Sequence, residues 1–153
     1  MASLDPTFRL ETASIHREHE ELIAQLDRLD AALDELFCFS EIFSDMATAN
    51  QAAATGRLLA EWLPKHYAHE ETTVLATIAQ MGPELQAFVL EMKRQHREMR
   101  MRLENFRDHL AHLNEARDLE SAVSELKKEG SSFSRMMRLH LAMEEKKFGS
   151  LEN

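Results

Sequence analysis

Apolar positions recur along this chain at alternating steps of three and four residues. Ile15, Leu22, Leu26, Leu29 and Leu33 make the first such stripe, with His19 on it, and predict a helix from near Thr12 to around Leu36. The segment FCFSEIFSDMA, residues 37 to 47, breaks the rhythm and reads as a connection with a short helical turn. A second stripe runs Leu59, Leu63, His66, Glu70, Thr73 or Val74, and Ile78. It closes at Gly82-Pro83, where Gly suits a left-handed cap and Pro suits the first turn of the next helix. Pro64 falls inside that second helix and predicts a kink just before the polar residues. The third stripe is the most regular: Leu85, Val89, Met92, His96, Met99, Leu103, Phe106, Leu110 and Leu113. A fourth helix begins at Asp118 with Leu119, Val123 and Leu126 and meets an expected irregularity at Gly130-Ser131-Ser132. It continues through Phe133, Met137, His140, Glu144 and Phe148. Four amphipathic helices with short connections predict an all-α, antiparallel up-down-up-down four-helix bundle.

Composition sharpens this picture. With 153 residues, 4 Gly and 3 Pro, the chain suits a single helical domain over residues 1–153 that closes one core unaided. A formal net charge of −9 argues against a nucleic-acid partner, because phosphate binding needs a basic face. No window approaches the ~18 apolar residues of a membrane span, and the N-terminus, MASLDPTFRL, has no signal-peptide pattern. One cysteine, Cys38, has no partner for a disulfide or a thiolate zinc site, which agrees with a reducing, cytoplasmic setting.

The polar residues on the stripes carry the candidate chemistry. His19 lies on the first helix, His66 and Glu70 on the second, His96 on the third, and His140 and Glu144 on the fourth. A single histidine on an apolar face is usually a satisfied core residue. Two carboxylates in the same core are harder to accommodate: each costs several kcal/mol unless paired or metal-bound, and no Lys or Arg shares the stripes. His66-Glu70 and His140-Glu144 are both i, i+4 pairs, so each pair projects from one side of its helix. Imidazole with carboxylate, without thiolate, suits iron, manganese or zinc, and four His with two Glu suit two adjacent ions. The Glu-x-x-His spacing of ferritin-like bundles precedes none of the eight histidines.

The pieces EHEELIAQL around His19, HYAHEETTVL around His66 and Glu70, QHREMR around His96, and HLAMEEKKF around His140 and Glu144 together resemble the hemerythrin-like, or HHE cation-binding, domains. The resemblance runs from about residue 10 to nearly the end of the chain, in the family's order of helices. It implies two non-heme irons, one served by His19 and His66 and the other by His96 and His140, with Glu70 and Glu144 as bridging carboxylates. Zinc and manganese are alternative occupants. Oxygen-carrying members have a further histidine one turn before the third-helix ligand; this chain has Met92 there, which leaves the second iron one nitrogen short. They also place an Asp five residues after the fourth-helix histidine. Here that slot is Glu145, with Glu144 one residue earlier and favoured by helical geometry. Both departures weigh against simple reversible oxygen carriage.

The leading expectation is therefore a binding protein for dioxygen, a related diatomic or a peroxide, as a monomer or homodimer. The alternatives are a di-iron oxidase, peroxidase or nitric-oxide reductase, and iron or zinc storage. His69 and Glu71 flank the second-helix pair and point off the stripe; His69 reads as a boundary histidine that could support a ligand. His16, His109 and His112 read as surface residues. Met92, Met99, Met136 and Met137 lie near the ligand positions as apolar lining, and Trp62 and Tyr67 as packing around the second helix.

Overall fold

The computed structural model describes residues 4–36 and 42–153. It contains α1 (Pro6–Glu35), α2 (Ile42–Thr72), the short α3 (Val74–Ala79), α4 (Pro83–Ala111), a 3₁₀ turn at Leu113–Glu115, and α5 (Leu119–Glu152). There is no strand among the described residues. The architecture is a bundle of four long helices in which α1 and α4 each pack on both α2 and α5. Along the α1–α5 seam, Thr12 bonds Glu152, His16 meets Glu145, Asp30 meets Arg138, and Leu33 lies against Gly130.

The helix boundaries follow local chemistry, and four depart from the expected ones. The first helix starts at Pro6 rather than near Thr12, because Asp5 caps it by accepting from Thr7 N (3.0 Å), Pro6 fits its first turn, and Phe8 is buried. Residues 42–47, expected in a connection, already belong to α2, whereas 37–41, including Cys38, lie outside the described residues. The expected second helix is split at Thr73 (φ −114°, ψ −91°). The Thr72 and Thr73 hydroxyls donate to the carbonyls of Ala68 (2.7 Å) and His69 (2.6 Å) and so compete with the helical ladder there. Pro64 sits in the interior of α2, which continues past it to Thr72.

The fourth departure is Gly130. α5 runs through it without interruption, and the glycine serves a close approach instead: an added Cβ would fall 2.5 Å from Leu33 Cδ1 and 3.0 Å from Phe106 Cε2. Gly82, at φ +146°, occupies backbone space that favours glycine, and Pro83 then opens α4 as the sequence predicts. Asp118 caps α5 by accepting from Ser121 N, also as predicted.

The core has two apolar parts. The longer includes Leu22, Leu29, Leu33, Leu63, Met99, Phe106, Leu126, Phe133, Met137 and Leu141. The shorter, at the other end, joins Phe8, Ile15, Val74, Leu75, Ile78, Val89, Met92 and Phe148. Each fully buried Leu, Ile or Phe here removes enough apolar surface from water to contribute about 1.5–3 kcal/mol. No described helix is long and apolar enough to cross a membrane.

Candidate metal centre

Each helix passes from one apolar cluster to the other through a polar turn. On α1, His19 separates Ile15 from Leu22; on α4, His96 separates Met92 from Met99. On α2, His66 and Glu70 lie between Leu63 and Val74, the first residue of α3, and on α5, His140 and Glu144 lie between Met137 and Phe148. The result is a polar belt across an otherwise apolar core. All six side chains are buried, with both glutamates at 0% exposure.

The belt forms two overlapping groups whose donor atoms lie within 4.8 Å of one another: His19, His66, Glu70 and Glu144, and Glu70, His96, His140 and Glu144. Both glutamates are shared. Within the first group, His66 Nε2 lies 3.0 Å from Glu70 Oε2, and His19 Nε2 lies 3.2 Å from Glu144 Oε2. Within the second, Glu144 Oε1 is 2.5 Å from His140 Nε2 and 3.3 Å from His96 Nε2. These histidines turn their Nε2 atoms inward because each Nδ1 is held from outside.

Those outer bonds form a ring around the bundle. Glu18 on α1 accepts from His66 Nδ1 on α2 (2.5 Å), and Glu71 on α2 accepts from His96 Nδ1 on α4 (2.8 Å). Gln95 on α4 holds His140 Nδ1 on α5 (2.8 Å), and Glu145 on α5 accepts from His19 Nδ1 on α1 (2.7 Å). Every acceptor is the sequence neighbour of a belt residue and serves the histidine of the next long helix. Because an ionised carboxylate can only accept, Nδ1 donates a proton in the three carboxylate pairs, and Nε2 is the nitrogen that faces the interior. Gln95 is oriented by its own amide, which donates to Glu91 Oε1 (2.8 Å) and leaves its oxygen for His140.

Electrostatics differ across the belt. Burial disfavours charge on His19, but Glu144, Glu145 and Glu70 beside it outweigh burial and raise its pKa to about 11. Burial dominates at His140, reinforced by His96, and lowers its pKa to about 3; burial also lowers that of His96. Burial opposes charge on Glu70 as well, yet Glu144, His19 and His66 hold it well below the usual carboxylate range. Glu144 is driven above that range by burial and by the charge of Glu70.

The donor set fits a hard or borderline cation. His96 Nε2 faces His140 Nε2 at 3.1 Å, so two neutral rings with protonated Nδ1 atoms present lone pairs to each other, a repulsive contact that a cation relieves. His19 Nε2, His66 Nε2, both Glu70 oxygens and Glu144 Oε2 are enclosed without a hydrogen-bond partner of good geometry among the described residues. The ion pairs of Glu70 and Glu144 all go to histidines. Such a concentration of unsatisfied donors and acceptors costs several kcal/mol without a ligand.

All six residues singled out from the sequence come together in this belt. Glu145 lies on the outer side of His19 rather than among the inward donors, and Met92 belongs to the shorter apolar cluster. His69 Nδ1 bonds the second oxygen of Glu18 (2.7 Å), so it stands behind His66. His16 is exposed but bonds Glu145 (3.0 Å). His109 pairs with Glu129, and His112 with the Asp108 carbonyl, well away from the belt in sequence and structure. Tyr67 does more than pack: its ring stacks on His96 (3.9 Å between centroids, 9° between planes), and its hydroxyl donates to Met137 Sδ at 3.3 Å. The sequence reading missed Glu18 and Gln95; their only signal was an acid or amide directly before a stripe histidine.

A helical bundle crossed by an enclosed imidazole and carboxylate belt defines a cation-binding protein. Residues 11–151 match the model of the hemerythrin HHE cation binding domain, and the chain belongs to that family. No curated protein and no solved structure matches it.

Proposed function

We propose that His19, His66, Glu70, His96, His140 and Glu144 hold two iron ions, and that the protein binds or senses dioxygen or a related small oxidant there. The observation that carries this reading is the pair of overlapping four-residue groups sharing Glu70 and Glu144, with facing His96 and His140 nitrogens that need a cation between them. A bound ferrous pair supplies reducing equivalents and a coordination position for a small ligand. The chain's own residues do the rest. Glu70 and Glu144 neutralise and link the two positions, and the outer ring keeps each Nε2 inward. The apolar cluster of Ile15, Val89, Met92 and Phe148 excludes water from one side of the belt. Met92 would contribute no hard donor next to His96, which would leave room there for a small ligand.

This reading takes the chain as one cytoplasmic domain with up-down-up-down antiparallel helices, supported by the opposed numbering of contacts along the α1–α5 seam. The test is metal analysis of the purified protein with absorption spectra under argon, air and argon again. A pair of irons per chain with an air-dependent charge-transfer band supports it. A protein without iron that takes up none on anaerobic reconstitution would falsify the iron assignment. An irreversible spectral change with substrate consumption would replace the binding role by an oxidoreductase role.

A further inference from the structure

Three of the four outer partners are carboxylates and one is not. Glu145, Glu18 and Glu71 place a carboxylate behind His19, His66 and His96, whereas His140 has the neutral amide of Gln95. A carboxylate accepting Nδ1–H pushes electron density onto the ring and strengthens Nε2 as a donor; a charge-assisted bond of this kind is roughly twice as strong as a neutral one. Glu70 and Glu144 are common to both groups and cannot distinguish them. Beyond the missing donor at Met92, a difference lies in the outer partners: two carboxylates behind His19 and His66, one carboxylate and one amide behind His96 and His140.

Gln95 is held in this role. Its amide nitrogen donates to Glu91, which is itself paired with Arg94 (2.7 Å), so the amide oxygen is committed to His140. We propose that Gln95 makes the two cation positions unequal: the His19 and His66 position fills first and holds its ion, and the His96 and His140 position is the weaker, exchangeable one. This inference rests on the two-ion reading above. It assigns Gln95 as a positioning residue that sets relative affinity through His140, without touching the ion.

The test is calorimetric titration of the metal-free protein with Zn²⁺, and with Co²⁺ followed by its visible absorption. The wild type is expected to bind two ions in separate steps, with His140→Ala removing the weaker step and His66→Ala the tighter. The decisive variant exchanges the two side chains, Gln95→Glu together with Glu91→Gln. Net charge and the hydrogen bond between the two positions are retained, while the carboxylate moves behind His140. The weaker step should tighten about tenfold and approach the other, the usual size of an outer-partner effect on metal affinity. Glu18→Gln provides a second approach, since it should weaken the tighter step by a similar factor. Circular dichroism and melting of each metal-free variant identify any that fail to fold, and the second variant then decides. Two steps whose separation is unmoved by both changes, or two equal steps in the wild type, would overturn this inference alone. Uptake of fewer than two ions by the wild type would overturn the functional reading as well.

Discussion

The layer around Phe106 and the belt around Glu144 are both buried and both draw on all four long helices, yet they close in different ways. In the first, Leu33 from α1 and Phe106 from α4 press against Gly130 of α5, and Gly56 of α2 lies at ordinary contact distance from the same Phe106 ring. Nothing in that layer needs an outside partner. In the belt, enclosed nitrogen and oxygen atoms of His19, His66, Glu70 and Glu144 lack partners of good geometry among the described residues. One region is complete with its own atoms; the other is complete only with a cation. Dispersion and water exclusion reward any close fit, whereas buried charge is tolerated only when opposite charge arrives.

The largest effect that separates the two regions comes from truncating the ring at the centre of the apolar layer. Phe106→Ala should destabilise the protein by about 3–5 kcal/mol, equally with and without metal, measured by urea unfolding. A loss that metal restores would mean the layers are coupled. The converse change is Glu144→Leu. In the metal-free protein it should be neutral or stabilising by up to about 4 kcal/mol, because it removes a buried charge or proton, while abolishing metal uptake. If the metal-free variant were markedly less stable than wild type, the belt would be self-sufficient, as the apolar layer is.

Gly130→Ala sharpens the account of the apolar layer. The added methyl must displace Leu33 or Phe106, so a cost of about 1–3 kcal/mol is expected from the shift of the urea midpoint. No change would show that Leu33 swings aside freely.

The smallest effect per step is the pH response of the belt. His140 has its folded pKa lowered to about 3 from 6.5, so the unfolded chain binds a proton that the folded one refuses, and stability falls as pH drops from 6.5 towards 3. His19 has its folded pKa raised to about 11, so its stabilisation is complete below 6.5 and is lost as pH rises from there towards 11. Glu70, lowered, adds to the acid loss below the ordinary glutamate value of 4.5; Glu144, raised, adds to the alkaline loss above 4.5. Each group contributes a slope of up to about 1.4 kcal/mol per pH unit. Metal-free protein should therefore be most stable in mildly acidic solution and decline on both sides, by denaturation at a series of pH values. A steady gain in stability up to pH 10 would refute the assignment for His19.

Much of this was legible in the chain itself. The stripes located four long helices because a 3.6-residue period shows wherever one face is buried, and the start of the last helix at Asp118 was legible because its cap acts through adjacent backbone, whereas the equivalent cap at Asp5 was not read. The belt was legible because His19, His66, Glu70, His96, His140 and Glu144 occupy stripe positions, and a helix that turns its stripe inward takes every residue on it along. Gly130 shows the reverse. Glycine weakens a helix locally, but the close approach of Leu33 and Phe106 is a property of three helices and outweighs that preference.

The outer ring was beyond such reading. Glu18, Glu71, Gln95 and Glu145 sit off the stripes, where acids and amides are ordinary surface residues, and each acts on a histidine of a different helix. The order of apolar and ligand-type residues along each helix determined, by itself, that a polar belt would cross this core. Which side chain stands behind each imidazole, and hence that His140 alone rests on an amide, was decided by tertiary structure. Hydrogen bonds depend on distance and direction between helices, which periodicity along one helix does not encode.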